Sequence, residues 1–373
     1  MPDSSFVPDP LDGLPLDGLP PAPERSFASD NAAGAHPAVL AAIEKANHGH
    51  ALAYGDDDLT RDCERHFAEL FDIEVTLRLA FNGTGANILA LASALGSLLG
   101  PHHAVVCTDW AHIHLDETGA PERALGTKLV PLPCPDAKIA TAQLDDLVHL
   151  FGVQHHVQPG VVSISQPTEL GTLYTADEIA ALCDRAHELG MLVHLDGARI
   201  ANATAALGGD RAALRRFTID AGVDVVSFGG TKTGALGAEA VVYLNPATAC
   251  GSEYTRKQVT QLPSKMRFLA AQFLALLDGD LWIELGAQAN HTAAALHSAT
   301  SAIEGIELDG PPAVNSLYPI LPAAAIEPLR KWSFFWPWDP TRQQVRWMTA
   351  WDTTATDVER FTNGVTEVLA RCN

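Results

Sequence analysis

The chain has 373 residues, of which 47% are hydrophobic and 18% are charged, and its formal net charge is −21. This length and composition predict a globular protein with a full hydrophobic core, divided into one large and one small domain. The acidic balance, with no cluster of Lys and Arg, argues against binding to nucleic acid.

The cysteines are scattered, and the N-terminus lacks a targeting pattern. No two cysteines form a CxxC pair, so neither a zinc site nor a disulfide framework is predicted, and no metal is expected. No basic segment followed by an apolar one opens the chain, and no run approaches the roughly 18 apolar residues of a membrane span. We therefore expect a protein of the reducing cytoplasm without a membrane partner.

Residues 1–25 are rich in proline and glycine. They contain the pentapeptide Leu-Asp-Gly-Leu-Pro twice, at 11–15 and 16–20. Such a sequence cannot continue a helix or a strand ladder, so it predicts a flexible arm, or alternatively a segment that wraps a partner subunit.

A glycine-rich turn lies between a predicted strand and a predicted helix. The strand spans 77–81, the turn reads Asn-Gly-Thr-Gly-Ala-Asn at 82–87, and the apolar helix spans 88–99. Free N–H groups at a helix start, the positive end of the helix dipole and the Thr84 hydroxyl together suit a phosphate. Simple helix capping is the alternative interpretation of this turn.

Strands and helices alternate between residues 77 and 245. This alternation predicts an α/β fold, in which an open, mostly parallel sheet is flanked by helices and ligands bind at the carboxyl ends of the strands. Besides the segments around the turn, we predict helices at 37–49, 60–70, 143–151 and 175–189, and strands at 105–107, 128–132, 160–165, 191–195 and 223–228.

Three polar residues follow the ends of predicted strands: His112, Asp196 and Lys232. A carboxylate at the end of a buried strand is costly unless it has a partner, so Asp196 should have one. Lys232 is set among glycines and small residues, which is the environment of a Schiff-base lysine, although a turn lysine that faces water is the alternative.

These residues, with the turn at Gly83 and Thr84, are what pyridoxal 5'-phosphate requires. Lys232 would form the covalent link, Asp196 would keep the ring nitrogen protonated, and the turn would hold the phosphate. His112 would stack on the ring. The alternative is a set of satisfied polar loop residues with no ligand.

The pattern of predicted helices and strands changes after residue 246. Helices predicted at 261–277, 282–303 and 356–370, and strands predicted near 306, 314–321 and 345–349, indicate a smaller α+β domain. We therefore divide the chain into an arm at 1–25, a large cofactor-binding domain at 26–246 and a C-terminal part at 247–373. The tryptophans between 332 and 351 are expected to serve core and interface packing.

Several motifs carry a family resemblance over residues 27–369. They are Phe-Ala-Ser-Asp-Asn at 27–31, Tyr-Gly-Asp-Asp at 54–57, Phe-Asn-Gly-Thr-Gly-Ala-Asn at 81–87, Asp-Glu-Thr-Gly-Ala-Pro-Glu at 116–122, His-Leu-Asp-Gly-Ala-Arg at 194–199 and Phe-Gly-Gly-Thr-Lys at 228–232. With them the chain resembles the low-specificity L-threonine aldolases, in particular the bacterial branch of these fold type I pyridoxal phosphate enzymes. The resemblance implies an aspartate aminotransferase-like fold and a homodimer or homotetramer with shared active sites.

The resemblance also implies an activity and a role for each matching residue. The activity is the reversible cleavage of L-threonine, L-allo-threonine and related β-hydroxy-α-amino acids to glycine and an aldehyde. The implied roles are phosphate contacts for Gly83 and Thr84, ring stacking for His112, the ring-nitrogen partner for Asp196, the covalent link for Lys232, contacts with a neighbouring subunit's phosphate for Lys265 and Arg267, and substrate carboxylate binding for Ser29, Arg199 and Arg346.

The proton acceptor for the substrate β-hydroxyl is less directly implied. Many family members have a histidine after the strand at 160–165, whereas this chain has Thr168 and Glu169 near that place. We nominate His112 as the base, with Glu117 and Glu169 behind it. A β-eliminating lyase, a racemase or an aminotransferase would need nearly the same residues. A pyridoxal-binding regulator without turnover is a further alternative, against which the intact Lys, Asp and Arg positions argue, because binding of the cofactor alone needs no substrate carboxylate site.

Overall fold

The computed structural model describes residues 18–98, 100 and 102–372. The described chain forms two compact units, one of residues 34–287 and the other of residues 18–33 together with 288–372. Most of the predicted arm, residues 1–17, lies outside the described residues. A domain boundary after residue 246 remains a proposal, and by their contacts the residues from 247 to 287 group with the larger unit.

A seven-stranded sheet forms the centre of the larger unit. Its spatial order is β1-β7-β6-β5-β4-β2-β3, in which β7 runs antiparallel to both neighbours and all other pairs are parallel. The predicted α/β fold with a mostly parallel sheet is confirmed. The strands are β1 (Thr76–Ala80), β2 (His103–Thr108), β3 (Leu129–Leu132), β4 (Gln158–Ser165), β5 (Leu192–Gly197), β6 (Val225–Gly229) and β7 (Glu239–Tyr243).

Helices flank this sheet. Side-chain caps begin several of them, including the predicted capping box of Thr175 and Glu178 before α7. The helices are α1 (Pro37–Ala46), α2 (Asp58–Phe71), α3 (Gly83–Ser97), α4 (His112–Leu115), α5 (Ala120–Leu125), α6 (Thr141–Asp145), α7 (Ala176–Glu188), α8 (Ile200–Ala206), α9 (Arg211–Phe217), α10 (Ser252–Gln258), α11 (Arg267–Leu277) and α12 (Leu281–Thr300), of which the last continues into the smaller unit.

Three helix predictions need correction. The helix predicted at 261–277 begins only at Arg267, as α11. The helix predicted at 143–151 is only the short α6 followed by a 3-10 turn at Val148–Leu150. Helix α3 begins at Gly83 rather than at residue 88, because Asn82 caps it by accepting the Gly85 N–H at 2.8 Å. The glycine turn is therefore the first turn of the helix, and its N–H groups have no partner within the helix.

The core of the larger unit lies between α3 and the sheet. Leu89 of α3 is fully buried together with Val105, Val161, Val225 and Val241 from four strands. Strands β5 and β6 are buried along almost their whole length, as expected for parallel strands covered on both faces. This packing fixes the positions of the strand ends, and therefore also the positions of the loop residues that follow each strand.

The smaller unit combines helices with a three-stranded antiparallel sheet in the order β8-β10-β9. Its core packs aromatic rings, with Trp347 and Phe361 in contact at 5.0 Å between ring centroids. The strand predicted near 306 is only an isolated bridge between Glu307 and Ile320. The elements are β8 (Ser316–Leu317), α13 (Ala323–Trp332), β9 (Trp336–Asp339), β10 (Gln344–Met348) and α14 (Ala355–Cys372).

The tryptophans between 332 and 351 have different environments. Trp347 is fully buried in the core, which confirms the expected packing role for this residue, whereas Trp336 is 49% exposed. Strand β9 and helix α13 escaped prediction because their sequences, Trp-Pro-Trp-Asp and a helix with Pro328 inside it, contradict ordinary strand and helix patterns. Within the described residues, no helix combines the length and hydrophobicity that a membrane crossing requires.

Asp224 ties three strands together at the end of the sheet where β6 begins. Its carboxylate accepts hydrogen bonds from the Val193 N–H at 2.7 Å, from Asn245 Nδ2 at 2.7 Å and from His187 Nε2 at 2.9 Å. The side chain is buried, so removing the carboxylate would leave the Val193 N–H without its partner.

We expect Asp224→Ala to lower the free energy of unfolding by about 2–4 kcal/mol because buried donors lose their acceptor. Thermal or urea unfolding measures this loss. Asp220→Ala is the matched control, since Asp220 is exposed four residues away and its loss should change stability by no more than about 0.5 kcal/mol. Equal stability of the two variants would contradict the structural role of Asp224.

Candidate active site

A cleft opens at the carboxyl ends of β4, β5 and β6 in the larger unit. It holds about 430 Å³ of unfilled space, part of it open to solvent. Most of its lining is polar and follows strand ends, as expected for a ligand site of an open α/β sheet. The lining residues are Gly83, Asn87, His112, Glu117, Ser165, Pro167, Thr168, Glu169, Asp196, Ala198, Arg199 and Lys232.

Asp196 lies at the end of β5 and is only 7% exposed. One carboxylate oxygen accepts a hydrogen bond from Asn87 Nδ2 at 2.8 Å, and the other accepts from the Ala198 N–H at 3.0 Å. Burial by itself would raise the pKa of this carboxyl, but the charges of His112 and Lys232 and the bond from Asn87 hold the pKa below its ordinary value. Asp196 is therefore a buried, ionised carboxylate with dedicated partners, as the sequence predicted.

Asn87 is a site residue that sequence reasoning missed. Its Nδ2 donates to Asp196 and also to Glu117 Oε1 at 3.0 Å, so one amide group joins two carboxylates. The available signal was its spacing, because Asn87 follows Gly83 by four residues in α3 and so lies on the same helix face. Asn87 Oδ1 and Glu117 Oε2 are buried without a hydrogen-bond partner among the described residues.

His112 begins α4 and is oriented by two glutamates. Its Nδ1 lies 2.9 Å from Glu117 Oε1, and its backbone N–H donates to Glu169 Oε1 at 2.9 Å. Because a carboxylate only accepts, the bond to Glu117 places the ring proton on Nδ1 and leaves Nε2 as an acceptor in the neutral ring. The same bond is the main reason why the pKa of His112 is raised above 6.5, although burial opposes the rise.

Glu169 anchors the segment after β4 to His112. Its Oε1 also accepts a hydrogen bond from Ser165 Oγ at 2.7 Å. Burial raises the pKa of this carboxyl, while the bonds from Ser165 and from the His112 backbone act in the opposite direction. Thr168, the other residue expected here, is buried with its hydroxyl 2.7 Å from that of Thr172.

Lys232 lies in a 3-10 turn, Thr231–Thr233, directly after β6. Two glycines precede this turn, and a Cβ atom on Gly229 would lie 2.4 Å from the Ala198 carbonyl oxygen. Glycine is therefore required where the backbone before Lys232 passes the backbone after Asp196. This close approach brings the two strand-end loops onto one cleft.

His194 is a second residue that the sequence did not single out for the site. It precedes Asp196 by two residues on the same face of β5 and is fully buried. Its ring nitrogens lie 2.9 Å from Ser163 Oγ and 2.9 Å from Ser227 Oγ. Burial lowers the pKa of His194 to about 4, so its ring is neutral at neutral pH.

The other predicted site residues do not line this cleft. Thr84 stands beside Gly83 in the first turn of α3, Lys265 is exposed, and Arg267 begins α11 with a bond to the Gly49 carbonyl at 3.4 Å. Their expected roles stay predictions. No group of three or more metal-ligating side chains comes together in the described part of the chain.

Ser29 and Arg346 belong to the smaller unit and lie near each other there. Arg346 Nη2 donates to the carbonyl of Ala28, the residue before Ser29, at 3.4 Å, and its guanidinium lies 5.4 Å from the centre of the Trp338 ring. The Ser29 hydroxyl accepts the Asn31 N–H at 3.2 Å. Their part in binding a carboxylate also stays a prediction.

We expect Glu117→Gln to lower the pKa of His112, because the carboxylate that stabilises the imidazolium is gone. NMR titration of the His112 ring measures the change. Glu122→Gln is the matched control, since Glu122 is an exposed residue of the neighbouring α5. If His112 titrates alike in both variants, Glu117 does not set its protonation.

Comparison with known proteins identifies the family of the chain. A family model described as "Beta-eliminating lyase" matches residues 26–319. The chain is 40% identical to a low specificity L-threonine aldolase of a Pseudomonas species over 93% of its own length and 98% of the relative. A second one, from Pseudomonas aeruginosa, is also 40% identical, over 90% of this chain and 94% of the relative.

A solved structure extends the similarity to three dimensions. The threonine aldolase of Leishmania major superposes with a TM-score of 0.83 at 34% identity, covering 93% of this chain and 99% of that one. Identity of this level over nearly full lengths, together with the shared fold, makes the chain a lyase of the beta-eliminating lyase family and a member of the low-specificity L-threonine aldolases.

Proposed function

We propose that this chain is a pyridoxal phosphate-dependent aldolase that cleaves L-threonine, L-allo-threonine and related β-hydroxy-α-amino acids to glycine and an aldehyde. Membership in the family gives the reaction. The observation that carries the proposal for this chain is the convergence of Lys232, Asp196 and His112 on one cleft at the strand ends.

The residues present fit the cofactor. Lys232 offers an amine at the cleft, and the ionised Asp196 offers a charge that holds a proton on a ring nitrogen. The first turn of α3, at Gly83 and Thr84, offers N–H groups and a positive dipole end to a phosphate. The partnerless oxygens of Asn87 and Glu117, two residues that line the cleft, are buried polar atoms of the kind that a bound ligand satisfies.

When bound, pyridoxal phosphate supplies a conjugated ring that accepts the electron pair of the broken Cα–Cβ bond. Asp196 serves this chemistry by keeping its negative charge in a buried place. Asn87 and the Ala198 N–H hold both of its oxygens, so the carboxylate cannot turn away from the cleft. A charge fixed before the reaction stabilises a protonated ring nitrogen without reorganisation.

We propose that His112 accepts the proton of the substrate β-hydroxyl at Nε2. Glu117 holds Nδ1 and stabilises the imidazolium that forms, as a carboxylate does in a His–carboxylate pair. Glu169 holds the His112 backbone and thereby fixes the position of the ring. His112 can do this only in its neutral form, which predominates at pH values above its raised pKa.

Orientation of the substrate selects the bond that breaks. Arg199 lines the cleft and is proposed to bind the substrate carboxylate. A guanidinium binds a carboxylate through two parallel hydrogen bonds and so restricts its rotation. Holding the carboxylate leaves the bond to the β-carbon as the one presented for cleavage.

We also propose that the protein is a homodimer or homotetramer of the cytoplasm with shared active sites. The exposed Lys265 and the half-buried Arg267 lie away from their own cleft, which supports the expectation that they reach a neighbour's phosphate. The six cysteines are free thiols and four of them are buried, as is common in a reducing compartment.

A second candidate function is β-elimination, which the description of the matching family model favours. The two reactions differ in the bond that breaks, so their products differ. Aldol cleavage of L-threonine gives glycine and acetaldehyde, whereas elimination gives 2-oxobutanoate and ammonia.

We expect the purified protein loaded with pyridoxal phosphate to convert L-threonine to glycine and acetaldehyde in equal amounts. Borohydride should fix the cofactor to the peptide that contains Lys232. Lys232→Ala should lose the adduct and on the order of 10³-fold or more of kcat, because no other amine is built into the cleft lining. Product analysis and peptide mass mapping measure these outcomes.

Lys128→Ala serves as the control, because Lys128 is an exposed lysine before β3 and lies outside the cleft lining. It should keep both the adduct and the activity. Production of 2-oxobutanoate and ammonia from threonine would contradict the aldolase proposal, and an adduct that persists in Lys232→Ala would contradict the role of this lysine.

A further inference from the structure

A buried carboxyl group lies beneath the segment that carries Lys232. We call residues 229–234 the lysine loop. Glu239 is the first residue of β7, and in the sheet it stands opposite Gly229 on β6 and Ala80 on β1. Its side chain is only 7% exposed, so it occupies the junction between the lysine loop and the strand that leads to the first turn of α3.

This carboxyl group is hydrogen-bonded to the lysine loop. Glu239 Oε2 accepts the Gly230 N–H at 3.0 Å, and the Thr231 hydroxyl of the same loop accepts the N–H of Ala238, the residue before Glu239, at 3.2 Å. These are the two residues directly before Lys232. A buried charged acceptor makes stronger hydrogen bonds than a neutral one, so Glu239 holds the loop firmly when it is ionised.

The Glu239 carboxyl group also interacts electrostatically with the Lys232 amine. Burial raises the pKa of Glu239 to about 7, while the bonds from Thr231 and Gly230 and the charge of Lys232 lower it and the charge of Asp196 raises it. Among the described residues, two further contacts support this region: Gln272 Oε1 accepts the Leu236 N–H at 2.9 Å, and the backbone N–H of the titratable residue His36 donates to the Gly234 carbonyl at 2.8 Å. Lys232 and Asp196 are the charged groups that act on the pKa of Glu239.

We propose that Glu239 is a positioning residue for Lys232. It fixes the lysine loop through the Gly230 N–H and favours the protonated state of the Lys232 nitrogen. The second half of this proposal rests on the proposed function, because it concerns the lysine that links the cofactor. An ionised Glu239 adds a negative charge near this nitrogen and makes proton loss from it harder. A neutral residue at 239 removes that charge while it preserves the shape of the site.

Glu239→Gln tests the charge. In the protein loaded with pyridoxal phosphate, the absorption of the lysine-linked cofactor changes with pH as the linking nitrogen loses its proton. We expect the midpoint of this change to move to lower pH by about half a unit or more in Glu239→Gln, since a nearby negative charge is gone. An unchanged midpoint overturns the electrostatic half of the proposal.

Amide hydrogen exchange of the lysine loop tests the positioning without cofactor. We expect the peptide that covers residues 229–234 to exchange several-fold faster in Glu239→Gln than in the original chain, because a neutral acceptor replaces a charged one. Thr231→Val removes one bond and keeps the charge, so it should speed exchange while the absorption midpoint stays in place. Unchanged exchange in both variants overturns the positioning role.

Asp224→Asn is the matched control, since Asp224 is a buried carboxylate at the opposite end of β6. It should lower global stability but leave both the absorption midpoint and the relative exchange of the lysine loop unchanged. A chain that never binds pyridoxal phosphate would refute the proposed function, and the exchange experiment would still decide the positioning role. Equal effects of Asp224→Asn and Glu239→Gln on the loop would show that Glu239 contributes only general stability and would overturn the proposal.

Discussion

The buried bond between Asp196 and Asn87 is the interaction on which the candidate site depends. An ionised carboxylate is unfavourable at the end of a buried strand unless it is compensated. Asn87 of α3 donates a hydrogen bond to this carboxylate, and the same amide nitrogen also donates to Glu117. Glu117 in turn is hydrogen-bonded to the His112 ring. One continuous chain of hydrogen bonds therefore joins the proposed ring-nitrogen partner to the proposed base. A change in any member alters the charge and the position of the others.

The parallel sheet makes this chain of bonds possible. Strand ends that are far apart in sequence meet at one edge, and the glycine at 229 lets the loops of Asp196 and Lys232 pass at backbone contact distance. Glu239 stands one strand further along, at the start of the antiparallel β7. The direction of β7 matters because it places the first residue of the strand, rather than the last, at the edge where the ligand would bind. Glu239 thus holds the lysine loop on the side of β7, and on the side of β5 the backbone of Ala198 packs against Gly229.

The sequence predicted those parts of the fold and site that depend on local pattern. Lys232, Asp196 and His112 were found because each follows an apolar run that ends in a turn, and the sheet brings all three to one cleft. Asn87 could not be assigned in this way because its partner Asp196 is 109 residues away. His194 and Glu239 lie within apolar runs and appear as ordinary core positions until the neighbouring strands are known. In the smaller unit, the prolines of α13 and β9 concealed both elements, since their packing overrides their local preference.

We propose that an ionised Asp196, fixed by Asn87, stabilises a protonated ring nitrogen of bound pyridoxal phosphate. The most direct measurement is kcat for cleavage of L-threonine by Asp196→Asn, a neutral variant of the same shape, loaded with pyridoxal phosphate. We expect that borohydride still fixes the cofactor to Lys232 and that kcat falls on the order of 10²-fold or more. A variant that retains the adduct and cleaves threonine at nearly the original rate would show that the reaction does not need the charge of Asp196.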